Sequence, residues 1–194
     1  MTSNCFPGSS LVLLESGSYV PLADIKVGDR ILSADGLHRL SYSEVVALPH
    51  GRNEYLARFV HLATETSPDG IYLTHMHRIL AKSTPQSSEY NVVTAASVKA
   101  GHCIALTLPN GSVECSLVTY VDEVLRKGLY SAVTLNEFIV VDGFIVSPYA
   151  VDHAMAHSLY DAYRRAYVLL PWLFRSQMLI SFSQFIAYLV MAFS

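Results

Sequence analysis

The 194-residue chain has few charged residues and few cysteines, and each shortage excludes a class of protein. Charged residues make up 15%, the formal net charge is −3, and no basic run is longer than two residues. Nucleic-acid-binding proteins carry a basic patch or stripe, so this class is excluded. Three cysteines are too few for a disulfide scaffold. The first 25 residues contain no apolar stretch after a basic start, so we expect an exported form to derive from a longer precursor.

Apolar residues, by contrast, make up 52% of the chain, and its mean hydropathy is +0.33, which suits one domain with a substantial core. Residues 5–151 are rich in short runs of Val, Leu, Ile, Thr and Tyr that are separated by Gly, Pro, Asn and Asp. This pattern predicts many short strands and an all-β body. From Asp152 onward the apolar period becomes helical, and one face would comprise Ala154, His157, Leu159, Tyr160, Tyr163 and Tyr167.

The β-rich region contains an internal repeat. Residues 22–31 match residues 95–104, with alanine, a β-branched residue, lysine, glycine and isoleucine recurring in step about 73 positions apart. A β-rich run follows each copy, so duplication explains the match better than chance does. The repeat predicts two related β subdomains packed about a pseudo-twofold axis.

The clearest hairpin is centred on Asn110-Gly111, the strongest two-residue turn signal. It predicts a strand pair formed by residues 104–108 and 113–120. With a two-residue turn, Leu106 lies opposite Cys115, and the side chain of Cys103 then lies on the other face of the hairpin. We therefore expect two buried thiols and no disulfide between them.

Two histidines, His75 and His77, would point to the same side of a strand and could bind zinc together. Further ligands would have to come from His50, His102 or a cysteine, and no spacing distinguishes them. Packed or solvated histidines are commoner than ligands. We therefore expect no metal site and keep a zinc hydrolase as a remote alternative.

The segment 176–194 contains no charged residue. Its length is enough to cross a bilayer, but serines and glutamines dilute its apolar character. Its apolar residues recur at spacings of three and four, which favours an amphipathic, lipid-facing helix over a full span. A terminal helix packed on the core is an equally consistent interpretation. The residues that we assign to sterol or lipid contact are Leu179, Phe182, Ile186, Leu189 and Phe193.

A series of short motifs in a fixed order adds a family resemblance. They are Cys5-Phe6-Pro7-Gly8, Glu15-Ser16-Gly17, Pro21-Leu22, Gly28-Asp29-Arg30-Ile31-Leu32-Ser33, Tyr42-Ser43-Glu44-Val45, Leu73-Thr74-x-x-His77, Ile139-Val140-Val141, Ser147-Pro148-Tyr149-Ala150-Val151 and Ala156-His157. Together they closely resemble the C-terminal autoprocessing domain of Hedgehog proteins, the Hog or Hint module that is shared with inteins. Divergent modules of this type occur in nematode Hedgehog-related proteins. The resemblance spans residues 5–157 and implies the duplicated β fold of that family, in agreement with the repeat.

The resemblance implies a self-cleaving acyl transfer. Cys5, which opens the module, would attack the carbonyl of the preceding residue and exchange the Asn4–Cys5 amide for a thioester, a better acyl donor. The family assigns activation of the amide to its Thr-x-x-His motif, here Thr74 and His77. A hydroxyl can hydrogen-bond the scissile amide, and an imidazole that titrates near neutrality can protonate its nitrogen. His75 is then a bystander.

In Hedgehog proteins a sterol hydroxyl next attacks the thioester, so the resemblance implies a sterol co-substrate and no cofactor. An aspartate of the family is thought to deprotonate that alcohol, and alignment on the motif at residues 42–45 puts His50 at its position. An imidazole can act as general base there, and a loop histidine without a role is the alternative. Pro148 stands where typical Hedgehog domains have cysteine, so any thiol role at that position is lost.

The resemblance also implies how the chain is organised and where it works. Residues 1–4 would be a stub of a covalently attached upstream segment, residues 5–151 the processing domain, and residues 152–194 a helical sterol- or lipid-recognition region. We expect a monomer without a nucleic-acid partner, in the secretory pathway, membrane-associated in the endoplasmic reticulum lumen or extracellular. The sequon Asn110-Gly111-Ser112 is compatible with this route. The alternatives are an intein-like autoprotease that ends in thioester hydrolysis or a non-sterol adduct, and a membrane-binding module with a relic catalytic motif.

Overall fold

The computed structural model describes residues 5–49, 55–149, 153–170 and 172. Within them lie thirteen β-strands, two 3-10 helices and one α-helix. The strands are β1 (Leu11–Leu13), β2 (Tyr19–Pro21), β3 (Arg30–Ala34), β4 (Leu40–Ala47), β5 (Leu56–Thr64), β6 (Ile71–Leu73), β7 (Arg78–Lys82), β8 (Asn91–Thr94), β9 (Cys103–Thr107), β10 (Val113–Lys127), β11 (Val133–Thr134), β12 (Phe138–Val141) and β13 (Phe144–Val146). The 3-10 helices are Leu22–Asp24 and Ala95–Ser97, and the α-helix is α1 (His153–Leu169). The predicted all-β body with a helical extension is confirmed.

Eleven of the described strands form one antiparallel sheet, and β1 and β2 form a separate pair. The order in the large sheet is β11-β4-β3-β12-β13-β7-β9-β10-β5-β6, with β8 paired to β7 and an additional pairing between β13 and β9. The main core lies on this sheet and contains the fully buried side chains of Ile31, Ile79, Ile104 and Phe144. Phe6 packs in the same core, which fixes the chain next to Cys5 in the interior.

The two copies of the repeat adopt the same local structure. Each begins with one of the 3-10 helices and continues through a glycine in the left-handed region, Gly28 at φ 98° and Gly101 at φ 90°. The Gly28 N–H donates to the Val45 carbonyl at 2.9 Å, and the Gly101 N–H donates to the Val118 carbonyl at 2.8 Å. Donor and acceptor in the second copy each lie 73 positions after their counterparts in the first. This equivalence confirms the predicted pair of related β subdomains.

The predicted register of the β9–β10 hairpin is wrong by one residue. The Gly111 N–H donates to the Leu108 carbonyl at 2.9 Å, and the Leu108 N–H donates to the Ser112 carbonyl at 2.9 Å. The loop therefore has three residues, Pro109, Asn110 and Gly111, where the prediction had two. This is the type I turn followed by a left-handed residue that three-residue hairpin loops use, and Gly111 has the required φ of 82°.

The corrected register brings two cysteines together. Because a one-residue slip moves every side chain to the other face, Cys115 lies opposite Ala105, and Cys103 lies opposite Leu117. Cys103 and Cys115 therefore share a face, with their Cα atoms 5.3 Å apart, and a disulfide joins them. The prediction of two thiols is wrong, and Cys5 is the free cysteine.

Helix α1 packs against the strands through its tyrosines. The Tyr163 hydroxyl donates to the carbonyl of Val46 at 3.1 Å, and the Tyr167 hydroxyl donates to Oε1 of Glu44 at 2.5 Å. Tyr160 packs in the same apolar cluster. The predicted packing face is confirmed at these three tyrosines. The side chains of Ala154, His157 and Leu159 lie outside the described part of the structure.

The same helix buries an arginine that the periodicity did not single out. Arg164 is 5% exposed, and its Nε donates to the Thr134 carbonyl at 2.7 Å. One terminal nitrogen donates to the Asn136 carbonyl at 3.0 Å and to the hydroxyl of Tyr149. These bonds join α1 to the end of β11 and to the segment that follows β13.

Among the residues that the structure describes, no helix combines the length and the hydropathy needed to cross a membrane. The segment 176–194, which carries the predicted lipid-contacting residues, lies outside the described ranges. The predicted domain boundary at residues 151 and 152 stays a prediction.

Candidate active site

Cys5 is held in the interior by the residue that follows it. The Phe6 N–H donates to the Tyr130 carbonyl at 2.8 Å, and the Tyr130 N–H donates to the Phe6 carbonyl at 2.9 Å. The Phe6 side chain is fully buried. Cys5 is drawn inside with it, and its exposed fraction is 0%.

The glycine of the first motif is required by close packing. A Cβ at Gly8 would lie 2.8 Å from Cε2 of Tyr130, which is closer than real Cβ contacts allow. The Gly8 N–H also donates to the Lys127 carbonyl at 3.2 Å, at the end of β10. The segment that begins with Cys5 is therefore held by backbone hydrogen bonds at Phe6 and at Gly8.

Cys5 and Thr74 bind each other through two hydrogen bonds. The backbone N–H of Cys5 donates to Oγ1 of Thr74 at 2.8 Å, and the backbone N–H of Thr74 donates to the Cys5 carbonyl at 3.0 Å. Both residues are buried. The first of these bonds engages the nitrogen of the Asn4–Cys5 amide, whose carbonyl belongs to a residue outside the described ranges.

A tight turn between β6 and β7 positions His77, the histidine of the Thr-x-x-His motif. The His77 N–H donates to the Thr74 carbonyl at 2.9 Å, which closes the turn. The His77 carbonyl accepts the Ala95 N–H at 2.7 Å, so the second 3-10 helix supports the turn. Thr74 thus binds Cys5 directly, and His77 lies in the same turn as Thr74. The catalytic roles that the resemblance implies for these residues stay predictions.

The imidazole of His77 is fully buried, and one of its nitrogens is already engaged. Nε2 lies 2.8 Å from the carbonyl oxygen of Ser147, which can only accept, so Nε2 carries a proton. The centroid of the ring lies 4.2 Å from that of Phe6. Nδ1 is therefore the ring nitrogen that Ser147 does not engage.

Burial also determines the protonation state of the Cys5 thiol. Desolvation raises the pKa of Cys5 well above its ordinary value, because the interior disfavours the charged thiolate. The thiol is therefore protonated at neutral pH, and the attack on the amide must include loss of its proton.

His75 lies apart from this site. It occupies the turn and not a strand, and its Nε2 lies 2.7 Å from Oε1 of Glu123, at the surface. This hydrogen bond is the main reason that the pKa of Glu123 is lowered. His75 and His77 therefore do not point the same way as a zinc pair would. In the described ranges, no three His, Cys, Asp or Glu side chains come together as a metal site.

Two contributors to the site were missed in the sequence. Ser147 lies within a quoted motif, but it acts through its backbone carbonyl, which no side-chain pattern reveals. Tyr149, two residues later, donates its N–H to Oγ of Ser147 at 3.2 Å and accepts a hydrogen bond from Arg164. Burial raises the pKa of Tyr149 to about 12, so this hydroxyl stays neutral. The available signal was the arginine pair Arg164-Arg165 among the tyrosines of α1.

The remaining predicted site residues are not tested by the geometry. His50 lies outside the described residues, as do Leu179, Phe182, Ile186, Leu189 and Phe193. Their roles stay predictions.

Comparison with known proteins adds a family and a fold. The sequence profile of the Hint module matches residues 1–186. The chain is 29% identical over 177 residues to the Sonic hedgehog protein of Danio rerio, covering 89% of this chain and 42% of that one. It is 32% identical over 143 residues to Warthog protein 6 of Caenorhabditis elegans, covering 74% of this chain and 24% of that one. The chain thus spans less than half the length of these relatives.

Two solved structures are similar in fold. A DnaB intein from Synechocystis sp. PCC 6803 superposes with a TM-score of 0.62 at 17% identity, covering 76% of this chain and 99% of that one. A KlbA intein precursor from Methanococcus jannaschii superposes with a TM-score of 0.64 at 18% identity, covering 77% and 93%. At these identities the likeness concerns the fold alone.

Proposed function

Because the chain belongs to the Hint module family, whose predicted fold the structure confirms, we propose that it is a self-processing domain that cleaves the Asn4–Cys5 peptide bond. The observation that carries this proposal is the 2.8 Å hydrogen bond from the Cys5 amide to Oγ1 of Thr74. It engages the nitrogen of the bond to be broken, and the attacking thiol belongs to the same residue.

The first step exchanges an amide for a thioester. Sγ of Cys5 bonds to the carbonyl carbon of Asn4 and loses its proton, the C–N bond breaks, and the nitrogen of Cys5 gains a proton and becomes a free amine. Thr74 holds this nitrogen in place during the change. Because the amide is the more stable species, the step needs the acid that protonates its nitrogen.

His77 is the proposed acid. Its Nε2–H stays on the Ser147 carbonyl, and a protonated ring can deliver a second proton from Nδ1. Ser147 acts as a positioning residue, because its carbonyl fixes which nitrogen keeps its proton. Tyr149 and Arg164 support this segment from helix α1.

The second step is the attack of a sterol hydroxyl on the thioester, with His50 as the general base. The alcohol loses its proton, the carbonyl–sulfur bond breaks, and the upstream segment leaves as a sterol ester while Cys5 regains a thiol. Similarity to hedgehog proteins supports this step. The exposed Val168 and Leu169 at the end of α1, and the exposed Trp172 after it, also support it, since they precede the uncharged segment 176–194.

Hydrolysis of the thioester is the second candidate for this step. It is favoured by His50, since the sequence has an imidazole where the Hedgehog pattern has a carboxylate. Water and a sterol would then compete for one thioester, and the product distinguishes them.

The proposed setting is the secretory pathway. The Cys103–Cys115 disulfide supports an oxidising compartment, since such bonds are rare in the cytosol. The proposed partners are the covalently attached upstream segment and a sterol or membrane lipid. The domain would work as a monomer, without a cofactor and without nucleic acid.

The test is a folded reporter fused ahead of Asn4 of the full chain, secreted with a signal peptide. We expect cleavage between Asn4 and Cys5, and we expect Cys5→Ala to abolish it. Mass spectrometry of the released reporter then separates a sterol ester from a free acid.

Two variants separate the steps. His50→Ala should release the reporter with hydroxylamine, a nucleophile that needs no base, and should lose sterol-dependent release. Deletion of residues 176–194 should likewise spare the hydroxylamine reaction. Cleavage that persists in Cys5→Ala would overturn the nucleophile, and free acid alone, with sterol present, would overturn the sterol step.

A further inference from the structure

The tip of the β9–β10 hairpin carries a polar triplet that has no part in the proposed chemistry. Asn110-Gly111-Ser112 is the single Asn-x-Ser/Thr sequence in the chain, and its middle residue is not proline. Asn110 and Gly111 are exposed. The triplet therefore lies at the loop end of the hairpin, facing solvent.

The side chains of the triplet are already ordered relative to each other. Oδ1 of Asn110 accepts the Ser112 backbone N–H at 2.9 Å and the Ser112 hydroxyl at 2.8 Å. These bonds occupy the amide oxygen, and within the described residues the amide nitrogen forms no hydrogen bond. The hydroxyl that the sequon requires is therefore held against the side chain that would be modified.

There is room for a bulky group at this tip. A Cβ added at Gly111 would meet no atom within 4 Å outside its two chain neighbours, so the space around the middle residue of the triplet is open. The neighbouring loop atoms are bound to each other, with the Gly111 N–H on the Leu108 carbonyl at 2.9 Å. A saccharide on the amide nitrogen would displace no core contact.

An independent observation points to the compartment in which such groups are attached. The Cys103–Cys115 disulfide crosses the two strands of the same hairpin. Disulfides form in the oxidising lumen through which exported proteins pass, and N-linked glycans are added to lumenal loops. The hairpin thus carries a disulfide between its strands and a sequon at its tip, and both are typical of proteins that pass through that lumen.

We propose that Asn110 is N-glycosylated, an inference that rests on the secretory route in the proposed function. The donor is a lipid-linked oligosaccharide diphosphate, used by the transferase of the cell. A bond forms between Nδ2 of Asn110 and C1 of the first sugar, the bond from C1 to the diphosphate oxygen breaks, the lipid diphosphate leaves, and one proton leaves Nδ2. No electron is exchanged with an oxidant or reductant.

The glycan would lie at the opposite end of β10 from the segment that contains Cys5 and Gly8. Strand β10 runs for 15 residues from the hairpin to Lys127, a length of at most about 50 Å at ~3.3 Å per residue. Its far end contacts Gly8, three positions after Cys5. Loss of the glycan should therefore leave the rate of self-cleavage within about twofold of wild type.

The experiment uses the full chain with its upstream reporter, expressed behind a signal peptide in eukaryotic cells and recovered from the lumen and medium. The protein is treated with peptide N-glycosidase, and its mobility and the mass of the peptide containing position 110 are measured. The variants are Asn110→Gln and Ser112→Ala, which destroy the sequon, and Ser112→Thr, which keeps it with the same hydroxyl.

The proposal requires an enzyme-sensitive shift in wild type and Ser112→Thr and no shift in the other two variants. Wild-type protein that carries the disulfide but shows no glycan would overturn it, even if the reporter is cleaved. A glycan at Asn110 on a chain whose reporter stays attached would support the glycosylation and count against the processing function. The two proposals therefore fail separately.

Discussion

The backbone nitrogen of Cys5 lies 2.8 Å from Oγ1 of Thr74, and the backbone nitrogen of Thr74 lies 3.0 Å from the Cys5 carbonyl oxygen. The second of these bonds is main chain to main chain, so no substitution at position 74 other than proline removes it. The first depends on the threonine hydroxyl alone. A side-chain substitution therefore separates the holding of the segment from the holding of the scissile amide.

We expect Thr74→Val to slow thioester formation by about tenfold to a hundredfold, because valine has the same shape and leaves the buried Cys5 N–H without its acceptor, a loss of about 1–3 kcal/mol. Thr74→Ser keeps a hydroxyl and should stay near wild type. The measurement is hydroxylamine-induced release of the reporter. Equal rates in the two variants would show that the hydroxyl has no role.

Substitution of the two histidines of the turn should affect the rate of reporter release very differently. His77→Ala should slow hydroxylamine-induced release by about 10²–10⁴-fold, as expected for loss of a general acid. His75→Ala is the matched control, because His75 contacts surface Glu123 and should change the rate by less than about threefold. Urea unfolding of both variants shows whether a slow rate reflects a loss of folding. A slow His75→Ala with a normal His77→Ala would reverse the assignment.

The site residues that the sequence could identify are those that act through side chains in a motif. Cys5, Thr74 and His77 were predicted in this way, because each proposed role requires a particular chemical group. Ser147 was missed in its role, since its backbone carbonyl would accept from His77 whatever its side chain were.

The fold was predictable where a pattern repeats and unpredictable where one residue decides. The 73-residue repeat predicted two subdomains, because both copies need the same glycine and the same strand partner. The hairpin register depended on whether Pro109 belongs to the loop, and that one residue moved Cys103 onto the face of Cys115. Arg164 was missed because its acceptors, the carbonyls of Thr134 and Asn136, lie far away in the chain.

Arg164 should contribute far more to the free energy of unfolding than the adjacent Arg165 does. Arg164→Met removes the hydrogen bond to the buried Thr134 carbonyl, together with those to the half-buried Asn136 carbonyl and the Tyr149 hydroxyl. We expect a loss of about 2–4 kcal/mol in the free energy of unfolding. Arg165→Met is the control, since the Arg165 side chain is 83% exposed and should cost less than about 0.5 kcal/mol. Urea denaturation measures both. A similar small loss in each variant would contradict the anchoring role of Arg164.

The disulfide should stabilise the fold without taking part in the chemistry. Its cysteines are 12 positions apart, and closing a loop of that size stabilises by about 3 kcal/mol. The double variant Cys103→Ala, Cys115→Ala should lose about this much and keep hydroxylamine-induced release within about twofold of wild type at 25 °C. Hydroxylamine is used in place of a thiol so that the bond stays intact in the wild-type control. Unchanged unfolding free energy in the double variant would show that the bond contributes nothing.

The buried thiol of Cys5 should make the free energy of unfolding depend on pH in the alkaline range. Burial raises the pKa of Cys5 in the folded chain above the value of about 8.5 that an unfolded chain has. A raised folded pKa contributes stability that is complete below the unfolded pKa and is lost as pH rises through the folded one. Because Cys103 and Cys115 are bridged, Cys5 is the one thiol that can titrate.

We therefore expect the free energy of unfolding of wild type to fall relative to that of Cys5→Ser as the pH rises above about 8.5, by up to about 1.4 kcal/mol per pH unit. Serine keeps the size and polarity of the side chain and does not titrate in this range, so the other groups cancel in the difference. Urea denaturation at intervals from pH 7 to pH 10, without reductant, measures it. A difference that is constant with pH would mean that the thiolate is as stable in the folded site as in water, and the raised pKa of Cys5 would then be wrong.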